Sequence, residues 1–324
     1  MNFPFNVYLA AVASACVTTL VTMPLWRYWC LRRGLLDDPG QRKIHDAPVP
    51  LAGGWAVLCG MLIPLALAAL FLKLKGAGLT SAAPLDYGLH KRGLELGVIA
   101  FGAVGMTVLG WLDDKYELRP LPKFAGQLVI ALLVALACKR ITLFMPSVVF
   151  SYAITILWVL TVVNAFNFMD NMNGLCAGLG VIGAWYFAAT AAVAGQYLVA
   201  LLAFLTCGAL LGFLPYNFPK ARSFLGDAGS HLVGYLLAVM AILPHFYTKQ
   251  NPHHWAVLKP LLVLAVPLVD LAWVVILRWR RGQPFYVGDT NHLSHRLVRL
   301  GLSQTTAVLL IWLAAVIIGS VALL

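Results

Sequence analysis

Along the chain, apolar stretches of about 20 residues alternate with short polar segments, and ten such stretches can be counted. A helix of roughly 20 apolar residues is long enough to span the hydrocarbon core of a bilayer. The pattern predicts helices near 6–29, 52–72, 94–112, 122–138, 148–166, 175–194, 197–215, 230–248, 257–277 and 304–324. The polar segments between them are short, and neither an internal repeat nor a low-complexity linker interrupts the series.

Composition turns this pattern into a class. Of 324 residues, 61% are hydrophobic and 11% charged, where a soluble domain carries about a quarter charged residues. The expectation is a single all-α polytopic membrane domain over residues 1–324. The net charge of +11 does not signal nucleic acid, because the basic residues lie in short loops beside apolar runs, where they orient a membrane protein and meet anionic headgroups or phosphates. No basic residue precedes the first run, and Arg27, Arg32 and Arg33 follow it. Both termini are therefore expected outside, with the loops after odd-numbered runs cytoplasmic. Those five loops hold 15 of the 23 basic residues and nine of the twelve acids. Acids contribute little to orientation, so their concentration on one side points to function. The six cysteines are scattered in or beside apolar runs without a C-x-x-C pair, which reads as small core residues.

The acids fall in distinctive company. Between the fifth and sixth runs stands Asn164-Ala-Phe-Asn167-Phe-Met-Asp170-Asn-Met-Asn173-Gly174, rich in amides and lacking any Lys or Arg; such a mouth suits a hydrated metal or polar ligand. A polar turn is the plain alternative. The third run ends in Asp113-Asp114, adjacent carboxylates that raise each other's pKa unless a cation intervenes. Magnesium would satisfy them with waters and phosphate oxygens; otherwise they cap the helix exit and pair with Lys115 or Arg119. The first inner loop offers Arg42-Lys43-Ile-His45, Pro48-Val-Pro50 and Gly53-Gly54: phosphate partners, fixed backbone, and a glycine pair that permits close approach to a ligand. The fourth carries Phe224-Leu-Gly-Asp227, with the aspartate between glycines at the start of an apolar run, where a helix N-terminus favours it. The fifth carries His292-Leu-Ser294-His295-Arg296, donors on one helical face suited to a diphosphate and lacking the soft partners zinc requires. Asp270, inside the ninth run, is either a functional ionisable residue or a hydrogen-bond partner of a neighbouring helix.

Taken together and in this order, the Arg-Lys-x-His block with Pro-x-Pro and Gly-Gly, the Asp-Asp pair, Asn-x-x-Asn-x-x-Asp, Phe-Leu-Gly-Asp and the histidine loop resemble the polyprenyl-phosphate N-acetylhexosamine-1-phosphate transferase family over residues 38–299. The resemblance implies transfer of a sugar-1-phosphate, most simply GlcNAc-1-phosphate, from a UDP-sugar to undecaprenyl phosphate. UMP is released, magnesium (or manganese in its place) is required, and the setting is the bacterial cytoplasmic membrane. It further implies Asp227, with Asp170 and Asp113, as metal ligands, and Asp113, Asp114, Asp170 and Asp227 as the catalytic acids. Asn167 would hold the diphosphate or a metal-bound water, Phe224 would stack on uracil with Asn217 nearby, and Lys43 and His45 would contact the nucleotide sugar. Lys123 would meet the lipid phosphate, and His292, His295 and Arg296 the sugar phosphate. A homodimer is compatible with the pattern.

Two positions depart from the family. Asn173 stands where a second aspartate is common, so a nucleotide contact there would be an amide, and Ser294 replaces a histidine. The alternatives are the same chemistry on UDP-MurNAc-pentapeptide, an ion-coupled transporter using Asp113, Asp170 and Asp270, or an inactive relative serving as a scaffold.

Overall fold

The computed structural model describes residues 4–37, 48–75, 83–138, 140–143, 145–244, 254–284 and 290–323. In chain order the helices are α1 (Phe5–Arg33), α2 (Gly53–Lys75), α3 (Ala83–Tyr116), α4 (Pro120–Ala137), α5 (Val148–Met169) and α6 (Leu175–Val193). They continue with α7 (Tyr197–Asn217), α8 (Gly226–Ile242), α9 (Lys259–Val263), α10 (Ala265–Arg280), α11 (Leu293–Arg299) and α12 (Gln304–Val321). Among the described residues, eight helices are long and apolar enough to cross a membrane, and nine if one bent pair is a single span. The chain is an all-helical polytopic membrane protein, as the run pattern leads one to expect.

Two runs behave differently from the pattern. The run expected at 257–277 is broken: Trp255–Val263 and Ala265–Arg280 meet at 76°. Pro267 has no N–H to give the Val263 carbonyl, and Leu264, at φ −103° and ψ 18°, leaves the helical region, so the helix bends where its hydrogen-bond ladder is interrupted. The eighth helix starts at Gly226, four residues before the expected 230, and two of its first amides find a carboxylate acceptor in Asp114 of α3. A further feature absent from the sequence reading is a two-residue antiparallel hairpin, β1 (Leu36–Asp37) with β2 (Val49–Pro50). It pairs the two ends of the α1–α2 loop. Lys43 and His45, between the two strands, lie outside the described residues.

Helix α8 is the post around which the bundle is built. Of its 17 residues only Asp227 is not buried, and it packs against α2, α3, α5 and α6. A helix apolar on every side belongs in the interior. In lipid no hydrophobic force pulls helices together, so close backbone contact must. Gly234 supplies one such contact, since a Cβ there would lie 2.7 Å from the Val163 Cα of α5. By contrast the crossing windows of α1, α4 and α12 are each 28% buried and face the surroundings.

Candidate active site

The site forms where four helix ends meet at the start of α8. Asp114, in the last turn of α3, accepts hydrogen bonds from the backbone amides of Asp227 (2.8 Å) and Ala228 (3.0 Å). The helix thus has two of its N-terminal donors satisfied by an acid from α3, where the helix dipole also favours negative charge. Asp170 lies beside the same helix start, where the Gly226 amide opposes the upward shift of its carboxyl. Close approach makes this geometry available: a Cβ on Gly110 would fall in the Asp227–Ala228 backbone. Gly226 itself has φ +71°, open to glycine at little cost, with Asp114 Oδ2 2.8 Å from where its Cβ would stand.

With Asp114 holding the helix, the carboxylate of Asp227 is left to meet side chains of α4 and α5. Its Oδ1 accepts from Asn167 Nδ2 at 2.7 Å and its Oδ2 from Lys123 Nζ at 2.8 Å. Lys123 also lies 2.5 Å from Asp113 Oδ2, and 3.4 Å from Asn167 Oδ1. Asn167 reaches Ser230 Oγ at 3.0 Å. Lys123 sits in the first turn of α4, a position the helix dipole disfavours for a cation; the two carboxylates offset that. Asp113 therefore pairs with Lys123 instead of Lys115 or Arg119, while its Oδ1 accepts the Leu118 amide at 2.9 Å.

Asp170, the residue that ends α5, has no Lys or Arg within ion-pair distance among the described residues. Burial of its carboxyl, reinforced by the charges of Asp227 and Asp37, pushes it up to about 8 against the opposing Gly226 amide. Four acids with one lysine among them leave an excess of hard anionic oxygen. That donor set fits magnesium, which takes one or two carboxylates together with water and phosphate oxygens. Among the described residues no three His, Cys, Asp or Glu side chains form a protein-only cage. The three-carboxylate ligand set of Asp227, Asp170 and Asp113 is accordingly not assembled among the described residues; Lys123 pairs with both Asp113 and Asp227 there.

A second pole lies where α10 and α11 meet the end of α5. Asp270 Oδ2 lies 2.7 Å from His292 Nδ1, and its Oδ1 accepts the Leu293 amide at 2.6 Å; of its two expected roles this is the interhelical one. The Phe168 ring lies between the His292 ring, edge-on at 5.5 Å, and the buried Arg278 guanidinium at 5.0 Å. Ser294 donates to Asn171 Oδ1 at 2.7 Å, so the departure from histidine ties α11 to the α5–α6 loop. His292 and His295 have ring centroids 6.4 Å apart, and Arg296 stacks over Trp273 of α10 at 4.9 Å.

Other expectations are redirected. The glycine pair at the start of α2 meets protein: the Gly53 and Gly54 amides donate to the Phe224 and Leu225 carbonyls at 2.9 and 3.1 Å, and the Phe224 amide donates to the Pro50 carbonyl at 3.0 Å. A Cβ on Gly54 would sit 2.5 Å from Gly229 N. Phe224 is half-buried on this strap beside the site. Asn217 is buried, accepting from the Gly174 amide (2.7 Å) and donating to the Ser223 carbonyl (3.0 Å), so its amide serves the fold and is closed to a nucleotide. Asn173 donates to the Pro219 carbonyl at 3.2 Å. Arg278, Ser230, Gln127 and His231 were missed. The signal available for the last two was a polar residue inside an apolar run.

Residues 96–245, which contain most of this constellation, match the model of glycosyl transferase family 4. The chain is similar along most of its length to a probable undecaprenyl-phosphate N-acetylglucosaminyl 1-phosphate transferase of Bacillus subtilis, at 31% identity over 94% of this chain and 81% of that protein. It is similar to a decaprenyl-phosphate N-acetylglucosaminephosphotransferase of Mycobacterium tuberculosis H37Rv, at 33% over 94% and 79%. A third relative is an undecaprenyl-phosphate alpha-N-acetylglucosaminyl 1-phosphate transferase of Escherichia coli K12, at 27% over 90% and 76%.

Proposed function

The chain belongs to glycosyl transferase family 4, and from that membership we propose that it transfers GlcNAc-1-phosphate from UDP-GlcNAc to undecaprenyl phosphate in a bacterial cytoplasmic membrane. The product would be the lipid-linked diphosphate that begins a cell-envelope polysaccharide. In this reading α8 and the α9–α10 pair bring the crossings to ten, both termini are outside, and the site faces the cytoplasm, where a soluble nucleotide sugar can meet a membrane-held acceptor.

The observation that carries the proposal is the gathering of Asp113, Asp114, Asp170 and Asp227, from α3, the α5–α6 loop and α8, at the start of α8, with Lys123 paired to Asp113 and Asp227. An oxygen of the lipid phosphate attacks the β-phosphorus of the UDP-sugar; the bond from that phosphorus to the bridging oxygen breaks, and UMP leaves with the electron pair. A phosphate monoester has its second pKa at about 6, so the acceptor arrives largely as a dianion and needs no aspartate as base. Both reactants are anionic, and the chain's task is to bring them together. Magnesium, when bound, would supply charge neutralisation on the diphosphate; Asp170 and Asp227, with the Asn167 amide beside them, would hold it. Lys123, fixed by Asp113 and Asp227, presents its ammonium to the lipid phosphate. Asp114 keeps Asp227 aimed into the cleft, Phe224 offers a ring to uracil at the strap, and His292 and His295 serve the sugar phosphate.

Purified protein with magnesium, UDP-GlcNAc and undecaprenyl phosphate should release UMP, and Asp227→Ala should lose this activity while keeping its helical circular-dichroism spectrum. Undiminished turnover by that folded variant refutes the acid-centre assignment.

A further inference from the structure

One helical turn deeper than Lys123, Asn167 and Asp227 lies a second triangle of side chains on the same three helices. Gln127 follows Lys123 by four residues on α4, Asn164 precedes Asn167 by three on α5, and His231 follows Asp227 by four on α8. Residues three or four apart share a helix face, so each member of the upper triangle stands over a member of the lower one. The lower triangle is itself linked. Asn164 Nδ2 donates to Gln127 Oε1 at 2.8 Å, and Gln127 Nε2 lies 3.3 Å from His231 Nε2. Gln127 is 1% and His231 0% exposed.

With its oxygen taken by Asn164, Gln127 has only N–H groups to offer the histidine. His231 Nε2 must then accept, which places the imidazole proton on Nδ1. Among the described residues Nδ1 has no hydrogen-bond partner. A buried donor left unsatisfied is costly, and a leucine of similar size would avoid that cost in an apolar helix. Packing alone therefore does not account for a histidine here, whereas a link from α8 to α4 does.

We propose that Gln127, Asn164 and His231 are positioning residues: a buried relay that locks α4, α5 and α8 in register so that Lys123, Asn167 and Asp227 meet in the cleft above. For its kinetic consequence the proposal rests on the transferase reading; for its structural one it does not. The upper contacts are all side chain to side chain at 2.7–3.4 Å, so a rotation of one helix by a few degrees would part them, and the relay opposes such a rotation one turn below.

The test uses full-length protein in detergent with two readouts: UMP release, and the rate at which an amine-reactive reagent acylates Lys123, followed by mass spectrometry. His231→Leu should lower kcat about tenfold, as loss of a supporting partner typically does, with KM for UDP-GlcNAc within about twofold, and should speed Lys123 acylation severalfold. His231→Gln, whose side-chain oxygen can accept from Gln127, should return both readouts most of the way. Asn164→Val, which opens the relay from its other end, should reproduce the acylation change even if His231→Leu fails to fold. Unchanged acylation in both His231→Leu and Asn164→Val, or equal impairment in the leucine and glutamine variants, overturns the proposal. Wild-type protein that releases no UMP from any UDP-sugar would instead overturn the transferase reading, and the acylation rates would still decide the relay.

Discussion

Two aspartates use one device in opposite surroundings. Asp114 on α3 seats the start of α8 by accepting two of its amides, and Asp270 on α10 seats the start of α11 by accepting the Leu293 amide while holding His292. Around Asp114 the neighbours are acids, Asp113, Asp170 and Asp227, with Lys123 the cation that pairs with two of them. Around Asp270 they are donors and cations: His292 and, across Phe168, Arg278. Seating a helix by a carboxylate is thus a general solution to unsatisfied N-terminal amides in a membrane. In the proposed transferase, the sign of the surrounding charge, not the aspartate, would separate a pole that takes a cation from a pole that takes phosphate oxygens.

The sharpest separation comes from removing each seat. Asp114→Ala strands two amides at the start of the most buried helix, each costing about 1–3 kcal/mol, and releases Asp227 from its aim. The expected result is a clear drop in melting temperature together with loss of UMP release by more than about a hundredfold. Asp270→Ala strands one amide at a peripheral seven-residue helix and should lose roughly half as much stability, with turnover reduced but measurable. Thermal unfolding and UMP release run on both variants side by side decide it, and equal losses in both would erase the distinction between the poles.

A smaller effect separates the poles by their cation demand. Asp170→Asn removes the acid that lacks a basic partner among the described residues and should raise the magnesium concentration for half-maximal UMP release about tenfold or more, the usual scale for a ligand environment. Asp270→Asn keeps an oxygen for the Leu293 amide and should leave that concentration where it was. A shift in the second variant and none in the first would reverse the assignment of the two poles.

Much of this was legible along the chain, and the remainder has identifiable reasons for being hidden. Long apolar runs declare membrane helices because backbone in lipid has few alternatives, and most of the acids gather at one set of loops. What a linear pattern cannot carry is which helix end meets which. Asp114 looked like a reactive acid beside Asp113, yet its two oxygens are bound to α8 amides 113 and 114 residues away. Gly54 looked like room for a ligand and proved to be room for Gly229. Asn217 looked like a nucleotide contact and is a brace between two loops. The break at Leu264 was readable in principle from Pro267, but the run is apolar on both sides of it, and hydropathy does not register a missing N–H.

The least effect is expected at Asn173, and for that reason it tests how far the acid pole extends. The amide lies in the α5–α6 loop and donates to the Pro219 carbonyl in the α7–α8 loop, next to the stronger brace that Asn217 makes between the same loops. Asn173→Asp removes that donor and sets a carboxylate against a carbonyl, a loss of about 0.5–1.5 kcal/mol at most for one neutral hydrogen bond, with the second brace intact. Turnover and KM for UDP-GlcNAc should both stay within about twofold. A KM that falls tenfold would mean that the added acid reaches the nucleotide or its cation, so that the pole runs from Asp227 past Asp170 to the rim of the cleft, and the boundary drawn at Asp170 would have to move outward.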